Sequence, residues 1–369
     1  MPVTGHGAIT ARYTAEVWAH GSHAYTTTWG SRGSGFVPGN AIYVWDVRGA
    51  APLLLDSVLV SGASTLGDVQ VTDDGALMIV PTELSPGSIV VYDLSTPARP
   101  REISRFTSPK ITNGVHTTEV QRVNGRLYAF LSINRSGSAP ARLMVVDLGD
   151  PAAPKELWTR DMGQPFVHDV FVRDGLLFAA LWAEGIAIFD IGGGGKGGSI
   201  ASPVELSRVA TKNGSAHNVW WLHDPVTGSK KYIFVGEEAM GAAGFTSAKG
   251  DVHVVDISTL TAPHEVAFFN VAGAGAHNFS VDEERGILYA AFYNGGVQAL
   301  DVRGELGSCS DSQKAADGRC DLRLMNRLMG IGLLNQGINV YVWGVQYVDG
   351  AVYASDMLNG LWKLAPMTR

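Results

Sequence analysis

Four of the ten histidines stand at matching places along the chain. His168, His217 and His277 each precede an apolar residue by two positions, in the steps HDVFV, HNVWW and HNFSV. His116 stands four before Val120 in HTTEVQRV, on the same strand parity. Neutral imidazoles converging from such positions suit zinc, iron or copper better than magnesium. The next position in each copy holds an oxygen-bearing side chain, Glu16, Asp68, Glu119, Asp169, Asn218 and Asn278, until Gly344 breaks the series. Taken alone, that second ring suits calcium. The segments that return towards these positions end in Glu83, Glu184, Glu237, Glu238, Asn294 and Asp356. Carboxylates behind imidazoles orient them for metal binding. Glu184, Glu237 and Asp356 are therefore the candidates for a catalytic base, with His116, His168, His217 and His277 as metal ligands. Trp343 shares the register of the histidines and, with Glu119 and Asp169, is placed to wall a substrate pocket. The same histidines could instead hydrogen-bond between neighbouring units and hold no ion.

These residues sit on a repeat. One apolar position recurs as Val17, Val69, Val120, Val170, Val219, Phe279 and Val345, at intervals of roughly fifty residues that lengthen in the last two units. Each unit later reaches a hydrophobic-Asp-hydrophobic step: AIYVWDV, IVVYDL, LMVVDL, IAIFDI, VHVVDI and VQALDV. Seven units rich in β-branched residues and turn signals predict an all-β, seven-bladed propeller spanning 1–369 as one domain. The last unit supplies three strands, so the N-terminal GAITARY is expected to add the fourth and close the ring. Insertions fall near 237–250 and 303–338, and DLRLMNRLMGIGLL in the second is expected to hold a short helix. The step aspartates (Asp46, Asp93, Asp147, Asp190, Asp256 and Asp301) read as turn caps. The glycine run at 192–199 lacks the Gly-Lys-Ser/Thr ending of a phosphate loop and reads as an inter-strand loop.

The steps VVYDLSTPARP and VVDLGDPAAP resemble the LVIVD-repeat β-propeller family over nearly the whole chain. That resemblance implies the fold and leaves the activity open. At the level of geometry, four histidines hung from propeller blades also resemble the iron site of carotenoid-cleaving oxygenases and the His-held metal of some propeller polysaccharide lyases.

Composition narrows the function. With 46% hydrophobic and 17% charged residues, the chain can bury a core, which excludes disorder. A net charge of -7 without a basic block excludes a nucleic-acid partner. No apolar run is long enough for a membrane helix. No GxSxG elbow is present. Cys309 and Cys320 flank a short polar loop and are expected to form a disulfide, hence an extracytoplasmic (periplasmic or secreted) protein whose leader is absent from this chain. The expected protein is a monomer and a metal-dependent enzyme of oxygenase or lyase type. It would hold iron or zinc and take a small organic substrate at the channel mouth. The alternative is a non-catalytic extracellular binding scaffold.

Overall fold

The step segments are apolar without alternation because both faces of each are covered by neighbouring blades; Ile186–Asp190, for example, is buried at every residue. In the computed structural model, which describes residues 1–84, 86–241 and 245–368, these six segments are the third strands of six of the seven antiparallel blades. The inner strands of blades 1 to 7 are Tyr13–His20, Gln70–Val71, Val115–Val123, Asp169–Arg173, Ala216–Trp221, Phe279–Asp282 and Val342–Val348. Each packs against the next, and the last against the first, so the blades form a closed seven-bladed propeller. Val3–Ala8 pairs antiparallel with Gly360–Leu364 and completes blade 7; of the expected GAITARY only Gly7 and Ala8 fall in this strand, and Tyr13 already begins the inner strand of blade 1.

The core lies between blades. Phe178 and Ile188 of blade 4 pack on Val219, Ile233 and Val255 of blade 5. Truncating fully buried Phe178 to Ala would cost about 3–5 kcal/mol. Each step aspartate accepts a hydrogen bond from the backbone N–H two residues on: Arg48, Ser95, Gly149, Gly192, Ser258 and Arg303. Asp190 takes three more, from Gly194, Lys196 and Gly198, so the glycine run wraps a carboxylate. A Cβ at Gly198 would lie 2.0 Å from the Asp190 carbonyl oxygen, which explains glycine there.

Two insertions depart from the simple blade. In the first, Ala239–Met240 pairs with Ala248–Lys249, and 242–244 lie outside the described residues. In the second, Cys309 and Cys320 are bonded, and Cys320–Asp321 runs parallel to the outer strand of blade 5, His264–Phe269. The expected helix is absent. Leu328–Gly332 is instead a strand paired with Val297–Asp301, filling the fourth place in blade 6. Gly330 and Gly332 weaken a helix there, and the open edge of the sheet decides the outcome. Among the described residues the one helical segment is a 3-10 turn at Asp311–Gln313, and no helix is long and apolar enough to cross a membrane.

Candidate metal centre

Local irregularity in the inner strands aims the histidines. Val115 pairs with Ile133 and Thr117 with Ser132, which leaves His116 as the extra residue of a bulge. Ala216 pairs with Glu237 and Asn218 with Gly236, which does the same for His217. A bulge redirects the side chain it carries, here out of the blade pairing and towards the propeller axis. His168 immediately precedes its inner strand, and His277 stands two residues before its own.

The four imidazoles form an arc across blades 3 to 6. Ring centroids lie 4.1 Å apart for His116–His168, 4.0 Å for His168–His217 and 3.9 Å for His217–His277. Trp343 ends the arc, 4.3 Å from His277. His116 Nε2 approaches His168 Nε2 at 2.9 Å, and its Nδ1 donates to Glu83 Oε2 at 2.7 Å. Glu238 Oε2 lies 3.6 Å from His168 Nε2 and 3.8 Å from His217 Nε2. Among the described residues, His168, His217 and Glu238 bring three ligand atoms within 4.8 Å of one another. Ligands ~2.0–2.2 Å from a zinc-sized ion stand about 3.3–3.6 Å apart in a tetrahedron, so modest closure would suffice. Tyr293 Oη donates to the other oxygen of Glu238, which leaves Oε2 facing the histidines.

His217 and His277 are each 2% exposed, and neither ring nitrogen of either has a hydrogen-bond partner; His168 Nδ1 also lacks one. Burial holds all three well towards the neutral form, His217 at about 3, and neighbouring imidazoles add to the effect. Neutral nitrogens with free lone pairs are what a metal requires.

The carboxylates chosen from sequence are elsewhere. Glu184 is half-exposed in the turn after Leu176–Ala180 and pairs with Arg208 on the outer strand, 2.6 Å away. Glu237 faces outward along blade 5 and meets His253 Nε2 at 3.3 Å. Asp356 is fully buried and accepts from Tyr341 N, Leu358 N, Asn359 Nδ2 and Trp362 Nε1, which ties down a turn in blade 7. None of the three touches the histidines; Glu83 and Glu238, from the same set of strand ends, do. Pleating explains the swap at 237 and 238, since consecutive side chains leave a strand on opposite sides.

A cavity of about 750 Å³ runs from the four histidines to the tips of the inner hairpins, where Glu284 and Asp349 are exposed. Phe166, Trp182 and Tyr293 pack on the histidines without lining the cavity and close the near end. The histidines are thus the floor of the cavity, and the expected mouth is a closed end. Trp343, Glu119 and Asp169 all line the cavity. Glu16, Asp68, Asn218 and Asn278 join them in the oxygen ring. Burial first, then mutual repulsion, pushes Glu16 and Glu119 up to about 8, Asp169 to about 7 and Asp68 to about 6. Among the described residues these ring carboxylates form no group of three close enough to share an ion, so the calcium alternative finds no compact site there. Comparison of the sequence with protein-family models and with curated proteins returns no match, and the chemistry is read from the site itself.

Proposed function

We propose that this propeller is a metal-dependent enzyme, of oxygenase or lyase type, acting on a small organic substrate that enters from the hairpin face. The observation that carries this is His217. It is buried with both ring nitrogens unpartnered, beside Glu238, at the floor of a large cavity. Leaving such atoms unsatisfied costs about 1–3 kcal/mol each, which a bound ion would offset. His168, His217 and Glu238 would hold zinc or iron, with His116 and His277 beside them. Such an ion supplies a Lewis acid or an oxygen-activating centre. Glu83 holds the proton of His116 on Nδ1, and His116 Nε2 shares a hydrogen bond with His168 Nε2. The Tyr293 hydroxyl fixes the Glu238 carboxylate, and the aromatic cap keeps water from the closed end.

Membership of the LVIVD-repeat family is part of the same proposal, supported by the step aspartates and the turns they cap. The Cys309–Cys320 bond supports an extracytoplasmic location. A non-catalytic binding protein is the second reading, and the structural engagement of Glu184, Glu237 and Asp356 favours it. Elemental analysis of protein purified without chelator, from medium containing zinc, iron and copper, separates the two. About one transition-metal ion per chain is expected, falling severalfold in His217→Ala with the fold retained by circular dichroism. A metal-free wild-type protein would overturn the enzyme reading.

A further inference from the structure

Among the described residues no Lys or Arg balances the oxygen ring, and the positive group that acts on it is His116, which Glu83 holds towards its charged form. Glu16, Asp68, Glu119 and Asp169 receive hydrogen bonds from backbone amides and from the side chains of Asn278 and Gln70. Among the described residues, no Lys or Arg pairs with any of the four. The one arginine lining the cavity, Arg173, is held by both oxygens of Glu283 near the opening. Four carboxyl groups in one enclosed space, with no Lys or Arg among them, favour a cation that takes the place of the protons burial holds on Glu16 and Glu119 near neutral pH.

Two further observations point to a ligand. Thr118 and His277 are each 2% exposed and line this cavity, and their polar side-chain atoms have no partner. Between the ring and the opening, Trp18, Phe171, Trp220 and Tyr347 line the walls. Aromatic faces attract cations, most strongly where water is excluded. The carboxylates are too dispersed to clamp a single inorganic ion, while a cavity of about 750 Å³ falls in the range of small-molecule sites.

We propose that the cavity binds an organic ammonium ion, its charged nitrogen among Glu16, Asp68, Glu119 and Asp169 and its carbon skeleton against the aromatic wall. As the substrate of the histidine centre this ligand rests on the enzyme reading above; as a ligand of the cavity it does not. The raised proton affinity of the four carboxylates follows from their burial and their mutual repulsion.

The test is isothermal titration calorimetry with benzylammonium and its neutral isostere benzyl alcohol, on the full chain as purified and after metal removal. The ammonium is expected to bind both preparations, with the alcohol at least tenfold weaker. Glu119→Gln and Glu16→Gln should each weaken the ammonium about tenfold, roughly 1.4 kcal/mol, and leave the alcohol unchanged; either variant decides the matter if the other does not fold. Equal affinity for the two probes, no ammonium binding, or its displacement by micromolar calcium would overturn the proposal. Absence of metal from the purified protein with ammonium binding intact would sink the enzyme reading alone.

Discussion

His217 and His253 lie on the same blade, 2% and 0% exposed, and their surroundings are opposite. His253 sits between Glu265, 2.7 Å from Nδ1, and Glu237, 3.3 Å from Nε2. Arg319, beside the disulfide, pairs with Glu265 and fastens the Cys309–Cys320 loop to the same cluster. His217 has no hydrogen-bond partner at either nitrogen. Burial opposes the charging of both, but at His253 the two glutamates outweigh it and raise the imidazole to about 9. Depth in the fold therefore does not mark a functional histidine. A satisfied ring is part of the scaffold, and an unsatisfied one keeps a lone pair that could take a metal ion.

The sharpest way to break that contrast is to truncate each ring. His253→Ala takes the imidazole from Glu237 in a buried cluster while Glu265 keeps Arg319 and Lys212 N, at a cost of about 2–3 kcal/mol, and should lower Tm by roughly 5 °C. His217→Ala orphans no partner and should cost about 1 kcal/mol or less. Equal losses in thermal melts would erase the distinction.

A smaller effect is expected from pH. The folded-state value of His253 lies above its unfolded value of about 6.5. Its contribution is fully present below about 6.5 and is lost as pH rises through about 9. Melts from pH 6 to 10 should show a decline that is reduced in His253→Gln. A variant profile parallel to wild type would mean that His253 is not charged in the folded protein.

The smallest change should come from Glu184→Gln. Its partner Arg208 retains Glu205, and both members of the Glu184 pair are well exposed. Stability should move by no more than about 0.5 kcal/mol, and metal content should not move. A loss of bound metal would return Glu184 to the site.

The ring itself was legible because its signals are local and repeated. Steps such as IVVYDL and LMVVDL carry both the buried third strand and its cap, and the missing strand of the last unit pointed to the N-terminus, though to GAITARY and not to Val3–Ala8. Histidine register was legible too, although the bulges at His116 and His217, which set their direction, leave no mark in single residues. The choice between Glu237 and Glu238 turned on the side of one pleat, which strand ends do not announce. The apolar spacing in LMNRLMGIGLL suggested a helix, and the vacant edge of blade 6 overruled it. The direction of the opening followed from Phe166, which crosses to His116 of blade 3, and from Trp182, which folds back on His168 within blade 4.

The pairing of Val3–Ala8 with Gly360–Leu364 bears on how the protein is made. The two halves of blade 7 are synthesised at opposite ends of the chain, so this sheet is among the last structures that can form on the ribosome. Blades 3 to 6, and the histidine arc they carry, can assemble earlier from contacts of shorter range. The far wall cannot. Asn278 meets Glu16 across the seam, and Gly344 leaves the space that the Glu16 side chain fills; a Cβ at Gly344 would lie 2.0 Å from Glu16 Oε1. A nascent or nicked chain would thus display the histidines in an open trough, and the enclosed chamber would come into being only with closure of the circle.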